Sequence, residues 1–252
     1  MNWLRRKINM LLFREESLES DEDFERKLKK TEGLDQNRFQ RAIETVETIL
    51  LEANDQRQVA AIYDMVIWNL GKSVATDGSI GLFTGAYVID NSRISYGFFT
   101  GMPAADLGMT TIDLTKCNVY TGCWSFDRIV ASFDSTFANG YKQPSDSNGV
   151  YYPELRLAIM LNGRHHSSWA TYLETGRVKL RAISLRPFFE IAHTDGAFFY
   201  FKNEYGEEEK LRTADYRMAV LFQLAKERSK IDLPNTRDAF HQKAVDDLSP
   251  SQ

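Results

Sequence analysis

The stretch LAIMLNGRHHSSWATYLETGRVKLRAI, residues 157–183, decides the fold. Arg156 to Leu161 is an apolar run short enough for a buried strand. Asn162-Gly163 is a tight-turn pair. His165 to Thr175 reads as a helix, Gly176 as its stop, and Val178 to Leu185 as a second strand, on which Arg177, Lys179 and Arg181 alternate with apolar residues. A glycine turn that feeds a helix leaves backbone N–H groups without intrahelical partners. The helix dipole favours an anion there by about 0.3–1 kcal/mol at an exposed site, and glycine lets that anion approach the backbone. Arg164, His165 and His166 add side-chain donors at the same place, in a chain that has only four histidines. The segment is therefore a candidate phosphate site. Asn162, Gly163, Arg164 and Ser167 would bind, and His165 or His166 would act as general acid or base. Adjacent helical residues point about 100° apart, so the two imidazoles are not expected to grip one metal ion. The alternative is a strand-to-helix joint whose histidines are hydrogen-bonded surface groups.

The order strand, Asn-Gly turn, helix, Gly, basic strand resembles the ParB/sulfiredoxin-like superfamily, over about Thr115 to Phe201. In that layout an arginine opens a neighbouring helix, and CWSFDRIV places Arg128 there. The resemblance implies a mixed sheet with flanking helices. It extends to the ParB-like proteins of bacterial plasmids and phages, including plasmid fertility-inhibition proteins. It further implies nucleotide or nucleic-acid phosphate binding, phosphoester hydrolysis as an added activity, Arg128 as a second cation on the phosphate, and Mg²⁺ as a helper. His166 stands where the motif has its last arginine, and Arg164 or His165 where a sulfiredoxin needs its catalytic cysteine. Sulfinic-acid reduction is therefore excluded. A non-catalytic protein-interaction factor, of the fertility-inhibition or phage-accessory kind, is the rival expectation.

Outward from this segment, residues 1–75 read as a helical extension. Phe39, Ile43, Val46 and Leu50 have helical spacing behind an N-cap at Asp35, and a second helix runs from about Gln56 to Leu70 with Gly71 as its stop. The basic amphipathic start, MNWLRRKINMLLF, could also meet a protein partner, and no small-residue cleavage site follows it. Residues 76–230 form the expected ParB/sulfiredoxin-like domain. Within it AYVIDNSRISYGFF reads as a hairpin and MPAADLGM as a helical turn. SFDRIVASFDSTFANG reads as a helix capped by Ser125, closed by Gly140, and burying Phe126, Ile129, Val130 and Phe133. KQPSDSNGVYYPE reads as a loop, Pro187 as a break before PFFEIAH, and Thr213 as the cap of a last amphipathic helix. Trp169 and Tyr172 are expected in the core. Residues 231–252 read as a flexible tail.

Two weaker constellations remain. Glu190, His193 and Asp195 surround the HTDG turn and, with His165 or His166, could form an acid/base pair or a metal-dependent phosphodiesterase site. The simpler expectation is a hairpin turn at Asp195-Gly196. Gly71-Lys72-Ser73 imitates the end of a phosphate loop, but Val66 stands where the motif needs glycine and the preceding residues are helical.

Composition sets the outer bounds. The 252 residues are 43% hydrophobic and 26% charged, ordinary for a globular chain, with 12% aromatics to fill a core. A net charge of −4 argues against coating nucleic acid by bulk charge. Two cysteines, Cys117 and Cys123, make neither a disulfide framework nor a zinc site by themselves, and fit a reducing cytoplasm. No apolar run approaches the roughly 20 residues of a membrane span.

Overall fold

The computed structural model describes residues 21–84, 102–122, 126–203, 205–213 and 215–239. In chain order the elements are α1 (Asp21–Leu50), α2 (Gln56–Thr84), β1 (Ala105–Asp113), β2 (Asn118–Tyr120), α3 (Phe126–Asn139), β3 (Gly149–Tyr152), β4 (Leu157–Met160), α4 (Arg164–Tyr172), β5 (Arg177–Ser184), α5 (Arg186–Ile191), β6 (His193–Thr194), β7 (Phe198–Lys202), β8 (Glu208–Arg212) and α6 (Tyr216–Arg228). The architecture is α+β. A mixed five-stranded sheet of order β1-β5-β3-β4-β2 carries flanking helices, and a three-stranded antiparallel sheet β6-β7-β8 stands beside it.

Strand β4 shows why LAIM organises the molecule. All four residues are fully buried, and successive side chains of a strand point to opposite faces. Leu157 and Ile159 enter a core with Phe39 and Val46 of α1, Ile67 and Val74 of α2, and Phe188, Phe199, Leu221 and Phe222. Ala158 and Met160 enter a second core with Ile112, Leu114, Val119, Ala170, Val178 and Leu180. Each such large apolar side chain contributes about 1.5–3 kcal/mol by burial. The helical first third thus shares its core with the sheet. Arg217 fastens it further, donating to Asp215, to Asp77 (2.5 Å) and to Ser73 (2.8 Å) and so tying α6 to α2.

Several expectations are corrected. Helix α1 runs through Gly33 and Asp35, so Asp35 is no cap. A single internal glycine costs a helix only about 1 kcal/mol, and the anchors Phe39 and Val46 are buried as their spacing requires. Helix α2 passes Gly71 and continues to Thr84. Gly71 serves close packing, because a Cβ there would lie 2.8 Å from the Asn118 amide nitrogen, which donates to the Trp68 carbonyl (2.9 Å). From Ala105 onward the segment read as a helical turn at Pro103 is part of β1, which pairs with β5 from Ala105↔Ser184 to Asp113↔Arg177 across a bulge between Asp106 and Gly108. Strand β3 lies inside the supposed loop, in the middle of the sheet. Four residues were too short for alternation to show. Strand β5 keeps Arg177, Lys179 and Arg181 on one exposed face and is flanked by β1 and β3.

On α3, Ile129 and Phe133 are half-buried, but Val130 is 70% exposed, and Ser132 and Thr136 are buried instead. Tyr172 is 76% exposed and Trp169 half-buried, so neither belongs to the core. Asp215, not Thr213, caps α6, its carboxylate accepting from the Arg217 N–H (2.7 Å), while the Thr213 hydroxyl donates to the Gly196 carbonyl (2.8 Å). The expected hairpin of residues 86–99, the amphipathic start, Cys123, Trp124, the Ser125 cap and the Phe126 side chain lie outside the described residues. Among the described residues no helix is long and apolar enough to cross a membrane.

Candidate functional site

Helix α4 joins two very different surroundings. At its N-terminal end β4 stops, and Leu161 and Asn162 both donate their N–H to the Asn148 carbonyl (2.9 and 3.1 Å). The Asn162 amide donates to the carbonyl and carboxylate of Asp146, both at 3.0 Å, and its oxygen accepts the Gly163 N–H at 2.9 Å. Gly163 has φ 76°, and a Cβ there would overlap the Ser147 hydroxyl. Glycine is required twice over, for conformation and for space. The Arg164 guanidinium folds back, Nε donating to the carbonyls of Met160 and Leu161 (both 3.1 Å) and Nη1 to that of Gly122 (3.3 Å). Ser167 is fully buried, with its hydroxyl 3.2 Å from that of Tyr141.

The two histidines differ. His165 is buried, and burial, reinforced by the charges of Arg128, His166 and Arg164, pushes its pKa down to about 4. It is neutral at pH 7 and too weak a base to hold a proton there. His166 is half-exposed. Arg128, exposed on α3, lies close enough for its charge to act on His165. The structure therefore gathers Arg128, Arg164, His165 and His166 into one basic cluster, while most donors of the turn itself are engaged by the protein.

Glu190, His193 and Asp195 do not join this cluster. Asp195 organises its own turn. Its carboxylate accepts from the N–H groups of Ala197 (3.0 Å) and Phe198 (2.8 Å), from the Tyr200 hydroxyl (2.9 Å) and from the Gln36 amide (2.7 Å). His193 is exposed and stacks on Tyr200 with ring centroids 5.1 Å apart, and Glu190 points to solvent. Among the described residues no three His, Cys, Asp or Glu side chains gather as a metal site. Among the described residues no such group offers a preformed seat for Mg²⁺. The Cys117 thiol is buried, which pushes its pKa up to about 12 and leaves it unreactive.

The other flank of α4 is open. Ser168, Trp169, Thr171 and Tyr172 form one wall of a cleft of about 580 Å³, Trp68, Lys72 and Thr76 of α2 another, and Thr115 and Asn118 its floor. Trp169 is held by its indole N–H, which donates to the Ile129 carbonyl (2.8 Å), and by edge contact with Phe133, centroids 4.8 Å apart. Arg237 closes the rim. Its guanidinium lies over the Trp68 ring, 3.7 Å from the centroid, and its Nε–H is buried without an acceptor. Sequence reading missed this cleft. Trp68 and Lys72 are one helical turn apart on α2, a faint signal, and Arg237 sits in a stretch read as tail, with no signal at all.

No curated protein and no solved structure matches the chain. A family of unknown function, DUF6710, matches residues 20–234, from α1 through all eight strands and past the end of α6, and the chain belongs to that family.

Proposed function

We propose that this chain binds a phosphate-bearing nucleotide or nucleic-acid ligand, and that the ligand enters the cleft beside α4 and not the Asn162–Ser167 turn. The observation that carries this is Arg237. Its guanidinium lies over the Trp68 ring in the lining of the cleft, where its charge would meet an anionic oxygen. Lys72 supplies a second cation, and Trp68, Trp169 and Tyr172 supply the ring surface that a base stacks on. The ParB/sulfiredoxin-like identity of the C-terminal two thirds is part of the proposal. It is supported by the order strand, glycine turn, helix, glycine, strand and by the mixed sheet; a fold does not by itself fix a function. Among the described residues the cleft lining contains no histidine and one carboxylate, Glu174, which supports binding without hydrolysis.

Titration calorimetry of ATP, CTP, GTP, inorganic phosphate and a short DNA duplex against wild type and Arg237→Ala tests it. Roughly tenfold weaker binding in the variant is expected, the effect of one charge-assisted hydrogen bond. Equal binding by both proteins overturns the assignment to the cleft. Binding by neither favours a second function, a non-catalytic protein-interaction factor of the fertility-inhibition or phage-accessory kind. That second function is favoured by the exposed apolar side chains of Val130 (70%) and Phe137 (66%) on α3 and of Tyr172 (76%) on α4.

A further inference from the structure

The chain does not fray after α6. Residues 229–239 turn back along α2 and are fixed at both sides of Arg237. On one side the Asp64 carboxylate, buried on α2, accepts the Thr236 N–H at 2.7 Å. The same carboxylate binds Arg228 of α6 at 2.9 and 3.3 Å, and Arg228 also donates to the carbonyls of Ile231, Leu233 and Pro234 at 3.0–3.1 Å. On the other side Asp238 forms a two-pronged pair with Arg156 at 2.9 and 2.6 Å. The Asn235 side chain accepts the Arg237 N–H (3.1 Å) and shapes the short helical turn between the two clamps. A second, polar notch of about 440 Å³ has Asp64, Arg156, Arg228, Asn235 and Asp238 in its wall, so this segment separates it from the cleft.

Clamp, cation and clamp follow one another at residues 236, 237 and 238. Neither clamp touches the cleft, yet together they fix the chain on both sides of Arg237, whose guanidinium lies over Trp68. We propose that residues 229–239 are a latch that completes the cleft when docked, with Asp64, Arg156 and Asp238 as positioning residues, and that ligand binding and latch docking strengthen each other. The coupling rests on the cleft being the ligand site, as proposed above. Reciprocity is required by linkage, since a saturating ligand that binds the docked form more tightly than the undocked one stabilises docking by the same factor.

Two readouts on the full chain test this. One is tryptic cleavage after Lys230, whose side chain is 61% exposed, followed by mass spectrometry. The other is the affinity for ATP, CTP and GTP. Asp64→Asn breaks the buried clamp and can weaken the whole fold, so Asp238→Asn, at a carboxylate 59% exposed, is the decisive variant. Without nucleotide, cleavage is expected about fivefold faster in Asp238→Asn than in wild type, the effect of one surface pair. The nucleotide that binds is expected to slow cleavage of both proteins, by about tenfold at ten times its dissociation constant, while its affinity changes by less than about twofold in Asp238→Asn because the docked form predominates in both. Equal cleavage of both proteins overturns the latch. Nucleotide that binds wild type without slowing its cleavage also overturns it, and leaves the cleft as the binding site. Faster cleavage of Asp238→Asn with no nucleotide bound by wild type fells the cleft as the ligand site and the coupling with it, while showing the docked segment itself.

Discussion

The two flanks of α4 use nine consecutive residues, Arg164–Tyr172, to opposite ends. At the N-terminal turn several of the donors expected to meet a ligand are answered by the protein. Asn162 holds Asp146, the Gly163 N–H holds Asn162, Arg164 holds three carbonyls and Ser167 faces Tyr141. At the cleft the rings and cations come from elements distant in sequence, and at least one buried donor, on Arg237, meets no acceptor. Both flanks hold a buried polar atom without a hydrogen-bond partner, the Ser147 hydroxyl beside Gly163 and the Arg237 Nε, so what separates them is the ring-and-cation lining of the cleft. The turn ties the sheet to the helix, and the cleft offers rings and cations to the ligand proposed for it.

That contrast can be broken most directly at Gly163. Gly163→Val forces a branched side chain into a left-handed backbone and against Ser147, and should lower stability by about 3 kcal/mol in urea unfolding. Nucleotide affinity, measured where the variant remains folded, should stay at the wild-type value. A variant of normal stability that has lost binding would return the site to the turn.

Acid comes next. An unfolded histidine titrates near 6.5 and the folded His165 near 4, so its folded form resists the proton. Stability is then whole above about pH 6.5 and falls as pH drops toward 4, because the unfolded chain takes up the proton first. The loss attributable to this residue should be about 2 kcal/mol between pH 7 and 4.5, and His165→Gln should flatten that part of the profile. NMR titration of His165 near 6.5 would mean that the pocket is open to water and the joint is not closed.

Arg164→Ala removes donors to Met160, Leu161 and Gly122 and should cost about 1.5–3 kcal/mol of stability without changing nucleotide affinity. The smallest effect belongs to the exposed Lys72. Lys72→Ala should leave unfolding within about 0.5 kcal/mol of wild type, yet weaken nucleotide binding a few-fold, and more so at low salt. A stability loss at Lys72 equal to that at Arg164 would erase the difference between the two flanks.

Much of the joint was legible because its information is local. Asn-Gly marks the turn, LAIM the buried strand, and the alternation of Arg177, Lys179 and Arg181 with Val178, Leu180 and Ala182 the next strand. The ends of α1 and α2 were misplaced for a physical reason. Asp35 and Gly71 are punctuation only if nothing nearby outweighs them, and in this fold α1 packs through Phe39 and Val46 while Asn118 packs where a Cβ on Gly71 would stand. Strand β3 was invisible because its stability lies in its two neighbours, β4 and β5, and not in its own four residues.

The sequence alone determined the α+β class, the strand-turn-helix-strand segment around Gly163, and the presence there of Arg164, His165 and His166. Tertiary structure alone decided that Arg164 turns inward, that His165 loses its basicity under burial and neighbouring charge, and that Trp68, Trp169 and Arg237 share one cleft although they lie far apart along the chain. Local preferences are written in neighbouring residues, where periodicity and turn chemistry act. Whether a polar group ends up satisfied or waiting depends on partners that only folding brings within hydrogen-bond reach.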